Sequence, residues 1–150
     1  MTGYRAVQRS PIALPVIGSL LVLTIVLVAV ADEVWALVGA LTMLFVAVVV
    51  VALSTLTVDV GPTAVIATFR FGWPERRTGY ADVVSVRAVR NAWWVGLGIR
   101  KVRRGWMYNV WGLDAVQLDL AEGRVFRIGT ADPDGLLAAI EAARRDEPPS

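Results

Sequence analysis

The sequence predicts an N-terminal transmembrane α-hairpin followed by an α+β, mainly β, domain. The domain is expected to be a curved antiparallel sheet or partly open barrel of six or seven strands, capped by a C-terminal helix. Residues 12–53 are apolar apart from one interruption, Asp32-Glu33. Residues 56–128 then alternate apolar and polar side chains between Gly- and Pro-bearing breaks, the period of half-buried strands. Beyond residue 132 the period changes to that of a helix, with Leu136, Leu137, Ile140 and Ala143 on one face.

Residues 12–31 and 34–53 are two uncharged runs of equal length. At about 1.5 Å rise per residue, each reaches about 30 Å, one hydrocarbon thickness. Both are apolar all round. A buried hairpin of a soluble protein is the alternative, and two consecutive uncharged runs of this length argue against it. Pro11 and Pro15 sit at the start of the first run, where a missing N–H costs least. Arg5 and Arg9 flank the first span, an Arg-rich segment follows the second, and the turn between them is acidic. This distribution places both termini in the cytoplasm and Asp32-Glu33 outside, with Trp35 near the outer headgroups. A signal peptide is the rival reading, because Arg5 and Arg9 precede an apolar run ending in Ala29-Val30-Ala31. The run exceeds the usual apolar core of roughly 7–15 residues, which favours a span. Neither span carries an ionisable group at its middle for ion or proton passage. Ala36 and Ala40 form one pair of small residues at helix-packing spacing.

The expected organisation is therefore a cytoplasmic tail over residues 1–11, spans over 12–31 and 34–53, a domain over 56–145 and a disordered tail over 146–150. No linker separates the second span from the first strand, so the domain must abut the bilayer. Within it, residues 56–60, 64–71, 76–79, 83–90, 97–102, 106–111, 115–120 and 124–128 read as candidate strands, the third of them short. Phe71 is expected to share a face with Val65, Ala67 and Phe69, and Val84 with Val86. Gly61-Pro62, Gly72-Trp73-Pro74, Arg103-Arg104-Gly105 and Glu122-Gly123 mark turns. Asp132-Pro133-Asp134 is a helix start: N-cap, Pro at the first helical position, acid in the first turn. Burial of Leu136, Leu137 and Ile140 would stabilise the domain by roughly 1.5–3 kcal/mol each.

Composition narrows the chemistry. There is no Cys and no His, which excludes thiolate sites, disulfides and the commonest general base. Neither G-x-S-x-G nor a phosphate-binding loop occurs, so an enzyme is not expected, and no cofactor is. Asp114, Asp119 and Glu122 are oxygen donors that read as solvated strand and turn acids rather than metal ligands. Charge is uneven: residues 70–104 hold nine basic and two acidic side chains, and residues 105–150 hold four and eight, which makes the front of the domain basic. The candidate surface is Arg100, Lys101, Arg103 and Arg104 with Trp93, Trp94 and Trp106, a composition suited to anionic headgroups or to a protein partner. Trp93-Trp94, near Gly96 and Gly98, reads as an irregular connection that could present a large apolar group to a partner. Nucleic acid is not expected, given the modest net charge of +2 and the membrane tether.

The run Gly98-Ile-Arg-Lys-Val-Arg-Arg-Gly-Trp-Met-Tyr-Asn-Val-Trp-Gly112, with Ala115-Val116-Gln117-Leu118, Phe126-Arg-Ile-Gly-Thr130 and Pro133, resembles small bacterial membrane proteins with a pleckstrin-homology-like domain. Many of these are actinobacterial. Phe71-Gly72-Trp73-Pro74 and Asp82-Val83-Val84-Ser85-Val86 fit the same pattern. The resemblance covers residues 1–145 and implies a bacterial membrane protein with a pleckstrin-homology-like domain; the expected function is a plasma-membrane protein presenting a cytoplasmic binding or scaffolding module for protein partners. Peripheral sensing of anionic lipid and an accessory role beside a membrane enzyme or transporter are the alternatives. It carries over no catalytic or ligand residue. Eukaryotic pleckstrin-homology domains that bind phosphoinositides use basic residues on their first two strands and the loop between them; here that loop, Val60-Gly61-Pro62-Thr63, has none, and Arg70 at the end of the second expected strand does not rebuild the motif.

Overall fold

The computed structural model describes residues 3–93 and 97–146. Trp94 and residues 147–150 of the expected tail lie outside the described residues.

Two apolar helices, α1 (Ala13–Val30) and α2 (Glu33–Ala52), are each long and apolar enough to cross a membrane. Only Ala31 and Asp32 separate them, so the hairpin turn is as tight as expected. The Ala36 N–H donates to the Asp32 carbonyl at 2.8 Å, and Glu33 lies in the first turn of α2, where the helix dipole favours a negative charge. Gly39 leaves room for the Leu27 side chain of α1, with which any Cβ there would collide. Polar side chains within the helices bond inward. Ser19, Thr24 and Thr42 donate to the carbonyls of Pro15, Leu20 and Val38, four residues back, at 2.9, 2.8 and 2.8 Å. Such bonds need no water. Leu14, Leu21, Ile25, Leu41 and Phe45 stand exposed, an apolar surface larger than water-soluble monomers carry.

The segment before α1 is not a tail. Tyr4–Arg9 is a strand, β1, antiparallel to β2 (Thr55–Val60) in the register Tyr4↔Val60 to Arg9↔Thr55. The Ser10 N–H donates to the Ser54 carbonyl at 2.8 Å, carrying the pairing up to the helices. The helical hairpin is thus an insertion between two paired strands. β3 (Ala64–Phe69) and β4 (Glu75–Gly79) complete a sheet of order β1-β2-β3-β4.

A second sheet of order β5-β8-β9-β7-β6 is built from β5 (Val83–Arg90), β6 (Gly98–Val102), β7 (Gly105–Asn109), β8 (Asp114–Leu120) and β9 (Val125–Gly129). The described residues therefore form nine strands in two sheets, neither closed, where one sheet or partly open barrel of six or seven strands was expected. Nor are all pairings antiparallel, because β7 lies parallel to β9. Gly105 permits it: a Cβ there would collide with the Val125 backbone, and the Val125 N–H donates to the Arg104 carbonyl at 2.9 Å. Two side-chain placements also differ from the alternation. β3 ends at Phe69 and the chain turns at Gly72, which leaves Phe71 exposed. A bulge between Val83 and Ser85 turns Val83 inward and leaves Val84 exposed.

The core lies between the sheets. Leu56, Val58, Val65, Ala67 and Phe69 of the first sheet meet Val116, Leu118, Phe126 and Ile128 of the second. Tyr108 sits with its ring 5.2 Å from both Phe69 and Phe126. The C-terminal helix α3 (Pro133–Asp146) buries Leu136 and Ile140 fully, with Leu137 and Ala143 packed partly against the core. Its first turn is capped as expected: Asp132 Oδ1 accepts from the Gly135 N–H at 2.9 Å. The other oxygen, Oδ2, accepts from the Tyr4 hydroxyl at 3.2 Å, which ties α3 to β1.

Gln8 joins the sheets. It is buried, its amide nitrogen donates to the Trp111 carbonyl at 2.5 Å, and its amide oxygen accepts from the Val110 N–H at 3.2 Å. Gln8→Ala would leave a buried donor and acceptor unpaired. It is expected to cost about 1–3 kcal/mol of unfolding free energy. Chemical denaturation of the detergent-solubilised chain measures this, with the exposed Arg9→Ala near neutral as the control.

Candidate functional site

Strand pairing fixes which residues lie at the helix end of the domain. Arg9 and Thr55 border the helices, and Leu56 is paired with Phe69. The β3–β4 turn, residues 70–74, therefore lies at that end. Its backbone is held by Gly72 N–H to the Phe69 carbonyl (2.9 Å) and Phe69 N–H to the Pro74 carbonyl (3.3 Å). Phe71 and Trp73 project from it, 64% and 78% exposed. Two exposed aromatic rings thus stand at the end of the domain that borders the apolar helices.

The second sheet reaches the same end. β7 runs across the first sheet: Tyr108 packs on Phe69 of β3, while Val110 bonds to Gln8 of β1. β6 is the outer strand beside β7. Ile99, opposite Tyr108, and Trp106, opposite Lys101, face α2 across a cavity of about 470 Å³. Val49, Ala52 and Leu53 at the end of α2 form one wall, and Trp73 and Pro74 form another.

Arg76 is the charged side chain in this lining. Its guanidinium carbon lies 4.7 Å from the Phe126 ring centroid, a cation–π contact worth about 0.5–2 kcal/mol. Among the described residues its buried Nε has no hydrogen-bond partner and no carboxylate pairs with it. An unpaired buried N–H costs about 1–3 kcal/mol, comparable with the ring contact that holds the side chain there. The Arg76 side chain is thus held in place with no anionic partner among the described residues.

Of the residues expected from the sequence, Arg100, Lys101, Arg103, Arg104 and Trp106 come together on the β6–β7 hairpin. Arg103 and Arg104 are its two-residue turn, and Arg104 adopts a left-handed backbone with φ 68°. Arg100 and Lys101 point to opposite faces of the strand, Arg100 with Met107 and Lys101 with Trp106. All four are exposed and, among the described residues, none has a carboxylate partner. Trp93 lies elsewhere, in the connection from β5 to β6, and is 78% exposed. Trp94 lies outside the described residues. Sequence reasoning missed Phe71, Trp73 and Arg76. The turn signal at Gly72-Trp73-Pro74 was visible, and a bulky apolar residue in a turn is the cue that singled out Trp93.

A second polar cluster covers the outer face of the second sheet. Gln117 is buried there. Its amide oxygen accepts from Arg127 Nε at 2.7 Å, and its nitrogen donates to Asp119 at 2.5 Å. Arg127 also donates to Asn91 at 3.0 Å, Ser85 donates to Asp119 at 2.8 Å, and Arg87 pairs with Asp119 at 3.3 Å. The Asn91 amide nitrogen is the one buried donor of this cluster left without a partner among the described residues; the other contacts tie neighbouring strands together, so the network is structural. Among the described residues no group of three or more acidic side chains gathers as a metal site.

Burial alone would raise the Asp119 carboxyl. Hydrogen bonds from Ser85 and Gln117, with the charges of Arg87 and Arg127, outweigh it and hold the group below its ordinary 3.8. A lowered folded value means that the stabilisation is fully present above that pH and is lost as pH falls through the folded value. The thermal midpoint of the native chain is therefore expected to drop more steeply below about pH 4 than that of Asp119→Asn, with the native chain the more stable at neutral pH. A series of melting curves across this range checks both.

No family model and no curated protein matches this chain. The site combines a cavity between helix end and domain, apolar walls, an arginine with no carboxylate partner among the described residues, and a rim of exposed aromatic and basic side chains.

Proposed function

We propose that this chain is a two-span plasma-membrane protein of the bacterial pleckstrin-homology-like type. Its mainly β domain is a binding module held against the cytoplasmic face, where the helix-end rim engages anionic lipid. The observation that carries the reading is the pairing of β1 with β2 on either side of the hairpin, together with Phe71, Trp73, Trp106 and the β6–β7 arginines at that same end. The order of strands followed by one helix supports the kinship. Positive flanks and an acidic hairpin turn support the orientation. Basic residues beside an anionic leaflet contribute about 1 kcal/mol each, so Lys101, Arg103 and Arg104 supply on the order of 3 kcal/mol, with Arg100 on the opposite face of the strand. For a domain already tethered, that exceeds thermal energy several-fold and suffices to keep it flat.

A scaffold for protein partners is the second reading, favoured by Trp93, exposed in the connection from β5 to β6. An accessory role beside a membrane enzyme or transporter would use the same surface.

Because the chain lacks Cys, single cysteines report cleanly. Asp32→Cys is expected to react with an impermeant maleimide on intact cells, and Glu122→Cys only after lysis. A polarity-sensitive fluorophore on Trp73→Cys is expected to read an apolar environment in anionic liposomes. It should shift toward water when Arg100, Lys101, Arg103 and Arg104 become Gln. External labelling of Glu122→Cys, or a water-like Trp73→Cys signal in anionic liposomes, would contradict the reading.

A further inference from the structure

The geometry points to a specific lipid site: we propose that the cavity between the end of α2, the β3–β4 turn and the β6–β7 hairpin holds one anionic glycerophospholipid, its phosphate on Arg76. The proposal rests on the membrane reading above and names the ligand of the same site.

The cavity has the size of a ligand pocket, about 470 Å³, and its lining is apolar apart from Arg76. One wall is α2 itself, through Val49, Ala52 and Leu53. A site whose wall is a membrane-spanning helix opens where acyl chains are, not where soluble metabolites are. The opposite wall, Ile99 and Tyr108, offers further apolar surface along which the first methylenes of a chain can lie. Trp73 and Trp106 stand at the rim, at the depth where indole rings meet headgroups.

Charge selects the headgroup. Arg76 is fixed against the Phe126 ring, carries a buried Nε without a partner, and has no carboxylate to neutralise it among the described residues. A planar guanidinium presents paired N–H groups that match two phosphate oxygens. The exposed Lys101 beside Trp106 adds positive charge at the mouth, which favours a net negative lipid over a zwitterionic one. This site differs from general surface attraction: it takes one molecule, and it depends on Arg76 rather than on the hairpin tip.

Native mass spectrometry of the full chain released from nanodiscs of mixed phosphatidylglycerol and phosphatidylcholine tests it. One retained phosphatidylglycerol per chain is expected, undisturbed by added inorganic phosphate. Retention should fall about tenfold or more in Arg76→Gln, the loss of charge-assisted hydrogen bonds to the phosphate. Ile99→Trp narrows the cavity from the wall opposite α2 without changing any charge and should lower retention too. Near-UV circular dichroism establishes that each variant is folded, and if one is not, the other decides. Equal retention of phosphatidylcholine, displacement by inorganic phosphate, or unchanged retention in the folded variants would overturn the lipid site while alkaline-carbonate extraction still leaves the chain in the membrane. Release of the chain by carbonate would instead remove the membrane reading, and the lipid site with it.

Discussion

The pairing of β1 with β2 is the constraint on which the rest depends. A hairpin of two apolar helices attached by one end to a domain would be a leash. Here both ends of the hairpin enter neighbouring strands of one sheet, and the ladder runs to Ser10 and Ser54. The backbone hydrogen bonds of six residue pairs must break before helices and domain can move independently. Arg5 and Asp59, opposite each other and 3.4 Å apart, add a cross-strand pair, exposed and therefore of small worth.

From that constraint the polarity of the domain follows. Antiparallel pairing sends the β3–β4 turn back to the helix end, so Phe71 and Trp73 have no choice but to lie there. Gln8 then fastens the second sheet to the same end through Val110 and Trp111, and Ile99 and Trp106 of the β6–β7 hairpin face the end of α2 across the cavity. The far side is held by α3, capped by Asp132 and tied to β1 through Tyr4. Burial, reinforced by the neighbouring Asp132 charge and hydrogen bond, raises the Tyr4 phenol above its usual range, so this tie stays protonated and donating at neutral pH. One end of the domain is apolar and basic, and the other is polar and closed.

Much of this was legible in the residues. The hairpin, the turn at Glu122-Gly123 with both residues at positive φ, the inward Val116, Leu118, Phe126 and Ile128, and the capped C-terminal helix all follow from local period and turn chemistry. β1 was not legible, because Tyr4, Ala6 and Gln8 alternate with Arg5, Val7 and Arg9 and show no apolar face. Only the waiting edge of β2 makes six such residues a strand. The parallel β7–β9 pair escaped for a similar reason. Arg103-Arg104-Gly105 announces a turn, yet which strand the hairpin joins is decided by the absence of a Cβ at Gly105. The cavity draws on residues 49 to 108 from five elements and turns, a juxtaposition no local pattern contains. Of the expected surface, the β6–β7 cluster came together, and Arg76, which that reading passed over, supplies the charge within the cavity.

Hydrogen–deuterium exchange on the full chain in nanodiscs addresses the central claim directly, since a clamped hairpin and a leashed one differ in the protection of β1. The amides of residues 4–9 that face β2 are expected to be protected to the same degree as those of β2. Exchange of this segment at the rate of an unstructured tail, with β2 protected, would contradict the account.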